Sequence, residues 1–175
     1  MKGKKALWIF VFLGFVLTLY MVEASSFGSK EVALHNEGYG TFDMKKYDTQ
    51  VVKEVLEQAD TECIHVYHKY YLADFLFILF FGLLQVMISN AVYSGNKLIY
   101  RRIAVSIPIA RGIFDVIENI LLLVTIKNYP QANAGVIKVA SIATQCKLLC
   151  IRIWVVLILV GLLYCIYRRI NAKRR

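Results

Sequence analysis

The sequence predicts an all-α membrane protein, a four-helix transmembrane bundle with a small extracytoplasmic helical loop. Three observations carry that prediction. The chain of 175 residues is 58% hydrophobic, with a mean hydropathy of +0.55, more apolar than a soluble domain of this length. Its apolar residues gather into four stretches, over about 6–22, 71–93, 103–126 and 136–167. Lys and Arg crowd the flanks that a four-span chain places on one side.

A helix needs about 20 apolar residues to cross the hydrocarbon of a bilayer. The first stretch, Ala6 to Val22, is short for that task, and the fourth is long enough to tilt or to project. Lys2, Lys4 and Lys5 precede the first stretch. Lys97, Arg101 and Arg102 lie between the second and third, and Arg168, Arg169, Lys173, Arg174 and Arg175 follow the fourth. These flanks share the cytoplasmic side of the cell membrane, so both termini are expected inside. The outer loop, 23–70, holds nine acidic residues against five Lys. Aromatic residues agree, with Trp8, Tyr93, Tyr100, Tyr164 and Tyr167 near the inner interface and Tyr20, Tyr67, Tyr70, Tyr71 and Tyr129 near the outer. The first stretch reads as a retained anchor, because it is rich in bulky apolar residues up to Val22. The sequence Val22-Glu23-Ala24 also leaves a cleaved signal peptide open.

One amphipathic helix is expected in the outer loop, from about Asp48 to Ala59, with Asp48 as its N-cap. Val51, Val52, Val55 and Leu56 give it an apolar stripe at helical spacing, suited to lying on the outer ends of the bundle or on headgroups.

The third stretch breaks the hydrocarbon pattern with Arg111, Asp115, Glu118 and Asn119. A charge at mid-bilayer costs about 3 kcal/mol or more, so such residues are buried and paired. Arg111, Asp115 and Glu118 follow i, i+4, i+7 spacing and share one helical face, with Asn119 beside it. On the fourth stretch Thr144 and Lys147 share a face. Counted at 1.5 Å per residue, Asp115 and Glu118 lie roughly 12 to 17 Å below the outer surface and Lys147 roughly 15 Å. Lys147 is therefore the expected counter-charge of Asp115 or Glu118. Arg152 falls deeper, level with Arg111 and Gln85, while Asp74 falls near the outer interface within reach of water and Lys69. Asp74, Arg111, Asp115, Glu118, Lys147 and Arg152 make three acids and three bases, the balance that pairing inside a bundle requires. Pro108 withholds a hydrogen bond from the carbonyl of Ala104, which offers Arg111 an acceptor or a water a place.

Other chemistry finds little support. The net charge of +9 sits in short clusters beside apolar runs and does not form the broad basic face that nucleic acid requires. Glu62, Cys63, His65 and His68 invite a metal reading, but the patch lacks the paired second half of a structural zinc site, and no metal is expected. Cys146 and Cys150 are four apart on one helix, too far for a relaxed disulfide, and there is no CxxC. No Walker loop, GxSxG, HExxH or dinucleotide fingerprint is present, and no cofactor is expected.

Three segments together carry a resemblance: TFDMKKYD with HVYHKYYLADFLFILFFGLL, then IPIARGIFDVIENILLL, then ASIATQCKLL. They resemble a group of mainly bacterial four-span membrane proteins with no assigned activity. The pattern is Pro-x6-Asp-x2-Glu-Asn in the third span and Thr-x2-Lys in the fourth. Its positions here are Asp43, Asp74, Pro108, Asp115, Glu118, Asn119, Thr144 and Lys147, within about Thr41 to Leu149. The span count and acidic interior are also similar to the sterol-isomerase-like four-helix fold, through Glu118 and Asn119 alone, and the His-led constellation of that fold is missing.

The expectation is thus a single integral membrane domain whose polar cluster comprises Asp115, Glu118, Asn119, Lys147, Arg111, Thr144 and Asp74. Its default role is bundle structure or the binding of a membrane protein partner or a second copy. A carrier of a small solute or proton, and an isomerase-like enzyme with a buried carboxylic acid, are the alternatives.

Overall fold

The computed structural model describes residues Lys2–Lys173, so the basic residues Arg174 and Arg175 lie outside the described residues. Among the described residues there are six α-helices and no strand. They are α1 (Lys2–Ala24), α2 (Ser29–Leu34), α3 (Thr49–Gln58), α4 (Thr61–Val92), α5 (Leu98–Lys127) and α6 (Ala134–Lys173). By length and composition α1, α4 and α6 are apolar enough to cross a membrane. The chain thus has the helices of a membrane protein. At 30 residues α5 is as long as a span requires, but the charges at its centre set it apart from those three.

The long helices pack in chain order. Helix α1 lies on α4, α4 on α5 and α5 on α6, while α6 also reaches α4. The arrangement is inside-out relative to a soluble fold. Ile109, Ile113, Ile117, Ile120 and Val124 of α5 face outward, whereas Arg111, Asp115, Glu118 and Asn119 of the same helix are buried. An apolar stripe at spacings of three and four, set opposite a polar one, is what a lipid solvent would select.

At one end the molecule has an ordinary hydrophobic core, formed where residues 25–60 fold over the helix ends as a cap. Val32, Phe42, Val52, Val55 and Leu56 of the cap pack on Val66, Tyr67, Tyr71, Leu122, Ile126 and Ile137. Helix α3 forms as its pattern predicts: Asp48 accepts from the backbone N–H of Val51 at 3.0 Å, and Val52, Val55 and Leu56 are buried. Between α2 and α3 the chain turns through Glu37, Gly38 and Gly40, all at positive φ. The turn at Gly40 (φ +78°) points its carbonyl inward to accept from the Tyr67 hydroxyl and the Asn36 amide, each at 2.8 Å. Glycine takes this backbone at no steric cost.

At the opposite end α4 and α6 close against each other. The Tyr93 hydroxyl donates to the carbonyl of Leu157 at 2.7 Å, and Trp154 Nε1 donates to Ser89 Oγ at 2.9 Å. Gly161 makes room for this approach, since a Cβ there would come within 2.5 Å of Val92.

The structure refines two expectations. Tyr67, Tyr70 and Tyr71, read from the sequence as outer-interface residues, are buried, and the hydroxyls of Tyr67 and Tyr70 bond to the cap. Helix α5 continues through Pro108, and Arg111 turns to Asp115 instead of the carbonyl that the proline frees.

Candidate functional site

The site lies where the cap meets α4, α5 and α6. Helical spacing on α5 sets Arg111, Asp115 and Glu118 along one buried face, and α6 brings Thr144 and Lys147 against them. Lys147 Nζ stands 2.8 Å from Asp115 Oδ1, 2.6 Å from Glu118 Oε2 and 3.2 Å from Asp43 Oδ1. One ammonium thereby pairs with three carboxylates from two different segments, donating hydrogen bonds to Asp115 and Asp43 and meeting Glu118 as an ion pair. The expected pairing of Lys147 with Asp115 or Glu118 occurs with both at once.

Each carboxylate has a second partner. Arg111 Nη2 donates to the other oxygen of Asp115, and its guanidinium lies 4.6 Å from the centre of the Phe81 ring. Glu118 Oε1 meets Thr144 Oγ1 at 2.7 Å, and Thr144 Oγ1 is 3.1 Å from the Tyr47 hydroxyl. A hydroxyl has one proton to give, so the chain Tyr47 to Thr144 to Glu118 runs in one donor direction. Burial, with the Glu118 charge close by, pushes the Tyr47 phenol above its ordinary range, so it keeps the proton it donates. Asp43 Oδ2 accepts from the Tyr70 hydroxyl at 2.7 Å, and Asp74 Oδ2 from Asn119 Nδ2 at 2.7 Å.

Direct contacts thus join Arg111, Asp115, Lys147, Glu118 and Thr144, while Asn119 and Asp74 form a buried hydrogen-bonded pair of their own. Two placements differ from expectation. Arg152 is exposed on the outside of α6, so it does not belong to the set. Asp74 is buried and held by Asn119, away from the exposed Lys69. The buried inventory becomes four carboxylates, Asp43, Asp74, Asp115 and Glu118, around two cations, Arg111 and Lys147. Sequence reasoning missed Asp43, Tyr47 and Tyr70 as members, because loop residues carry no periodic signal and the tyrosines resemble belt residues.

Asp43, Asp115 and Glu118 present oxygens within 4.8 Å of one another, the geometry of a cation site. Lys147 Nζ occupies their meeting point. The patch at Glu62, Cys63, His65 and His68 does not converge: Cys63 is buried while the other three face outward. Several buried atoms have no hydrogen-bond partner within the protein, namely the Tyr71 hydroxyl, both amide atoms of Gln85, Arg111 Nε and Nη1, Asn119 Oδ1, and Glu118 Oε2, which meets Lys147 only as an ion pair. They mark the interior of α4 and α5 as polar beyond what the ion pairs use.

The fold and the cluster define an all-helical membrane protein with a polar interior. Compared with known families, curated proteins and solved structures, the chain matches none.

Proposed function

We propose that this chain is a four-span protein of the cytoplasmic membrane, with both termini inside and the cap outside, whose charge cluster fixes the cap as a docking platform for a membrane partner. The observation that carries this reading is the position of Lys147, whose ammonium ties Asp43 of the cap to Asp115 and Glu118 of α5. Support for a fourth span comes from α5, whose outward stripe of Ile109, Ile113, Ile117 and Ile120 suits contact with lipid. Its charges are turned inward and paired, as an ionisable residue at membrane depth requires.

The test of the structural role is thermal and denaturant stability in detergent of Glu118→Gln, Lys147→Met and the double variant. Loss of Lys147 alone leaves Asp43 and Glu118 without a cation and Asp115 with Arg111 only, and is expected to cost about 3 to 5 kcal/mol. The double variant is expected to recover part of that loss; singles as stable as the parent would overturn the reading. Topology is tested with a membrane-impermeant maleimide on intact cells. Lys45→Cys in the cap is expected to react, and Lys97→Cys only after permeabilisation.

A proton or small-cation carrier is the second reading, favoured by the excess of two buried carboxylates over buried cations. It predicts pH-driven uptake into liposomes that Glu118→Gln abolishes. An isomerase-like enzyme would need room for substrate against Glu118, whose carboxylate is enclosed by Lys147 and Thr144.

A further inference from the structure

On the side of α6 away from α5 lies a groove of about 670 Å³ between that helix and the chain leading into α3. Its two ends differ in chemistry. The end nearest the cap carries Lys46 and Lys138, both exposed, with Asp48 beside them. Asp48 is occupied in capping α3 through the N–H of Val51. The groove then descends α6 along Ile142, Cys146 and Leu149. From Ala134 to Leu149 is 15 residues, or roughly 22 Å of helix. That is about the depth of one leaflet, half of the 40–45 Å that a bilayer spans with its headgroups.

We propose that this groove holds one anionic phospholipid of the outer leaflet, its phosphate at Lys46 and Lys138 and an acyl chain along Ile142, Cys146 and Leu149. Two ammonium groups and one carboxylate leave a single positive charge at the headgroup end, which matches a lipid of charge −1. Lysine stems reach along apolar surface while their charges stay at headgroup level. The apolar wall below them, seven residues or roughly 10 Å of helix from Ile142 to Leu149, separates this site from one for a free phosphate, which would gain nothing from it. The groove also touches the charge cluster. Tyr47 and Ser141 form its inner wall, Ser141 Oγ donates to the Tyr47 carbonyl at 2.6 Å, and the Tyr47 hydroxyl leads through Thr144 to Glu118. A lipid seated there leans on the residue that joins the cap to the cluster.

The inference rests on the membrane placement proposed above. Binding measured in detergent reads the groove whichever leaflet it meets, so failure of the topology and failure of the site are separate results. The experiment is native mass spectrometry of the full chain titrated with phosphatidylglycerol, phosphatidylcholine or phosphatidylethanolamine, with soluble glycerol 3-phosphate as competitor. One phosphatidylglycerol per chain is expected, retained in preference to both zwitterionic lipids and not displaced by the competitor. Lys46→Gln with Lys138→Gln is expected to lower that affinity about ten- to thirtyfold and remove the preference. Ile142→Trp, which fills the groove at an exposed position, is expected to expel the lipid while the thermal midpoint stays that of the parent. Equal retention of all three lipids, displacement by glycerol 3-phosphate, or unchanged binding in either variant would each overturn the proposal.

Discussion

Replacing Asp43 by Ala should detach the cap while leaving the membrane helices packed. The substitution removes two contacts to a charged group, the ion pair with Lys147 at 3.2 Å and the Tyr70 hydroxyl bond at 2.7 Å. Hydrogen bonds to charged groups are worth about 1.5 to 3 kcal/mol each, and removing one partner leaves the other without its bond. Asp43 is 7% exposed, so some solvent reaches the site and the lower end of that range applies to each contact. Two such contacts give about 3 kcal/mol, or a change of about a hundredfold in an opening equilibrium. Lys147 keeps Asp115 and Glu118, so the helices below lose far less. Amide hydrogen exchange resolves the two regions. The Gly40 amide, which donates to Asn36 Oδ1, and the Gly38 amide, which donates to the Ala33 carbonyl, should exchange about a hundredfold faster. Amides of α6 around Lys147 should change less than about tenfold. Asp43→Asn keeps the shape and one acceptor, and should fall between parent and Ala. If Gly40 is as protected in the Ala variant as in the parent, Asp43 does not hold the cap. If α6 accelerates equally, cap and helices open as one unit and the division is wrong.

Two further outcomes are expected. Gly161→Leu should push the Val92 and Tyr93 side chains away and break the Tyr93 bond to Leu157, lowering stability by about 1 to 3 kcal/mol in chemical denaturation, while Gly3→Leu, in open space, should not. The third prediction concerns pH at the cap's edge. His35 Nδ1 lies 2.9 Å from Asp60 Oδ2, with Glu31 at 3.6 Å from the other nitrogen. The hydrogen bond to Asp60 raises the His35 pKa above 6.5, and the same bond lowers that of Asp60 below 3.8. The contribution of His35 is complete below pH 6.5 and is lost as pH rises through its raised value. That of Asp60 is complete above its ordinary value and is lost as pH falls through the lowered one. Limited proteolysis of the cap should therefore be slowest in mildly acid buffer and faster above neutrality. His35→Gln should flatten that dependence, and an unchanged profile would remove His35 from the account.

What the sequence made legible follows from periodicity. The long helices announce themselves because apolar runs of about 20 residues have few other uses. The polar face of α5 was readable because Arg111, Asp115 and Glu118 recur at helical spacing, and depth counting put Lys147 beside them. The same counting misplaced Arg152, because depth alone ignores direction. Five residues separate it from Lys147, about 140° around the helix, which turns it away from the cluster and toward the outside. Asp43 was legible only as part of a sequence pattern; its route to Lys147 depends on how the turn at Glu37, Gly38 and Gly40 folds back. Helix α2 gave no signal, since six residues are too few to show a period.

The ion pairs also bear on the order in which the interior assembles. Arg111 and Asp115 are one turn apart on α5, so this pair can close as soon as the helix forms and leaves it with less unpaired charge than its composition implies. Glu118 has no such local partner and waits for Lys147, which is translated later, on α6. Assembly of α5 and α6 as one hairpin would bring both residues together without either charge standing alone. Asp43 precedes both partners in the chain and can take the Tyr70 hydroxyl early, but its ion pair with Lys147 closes only once α6 has been made.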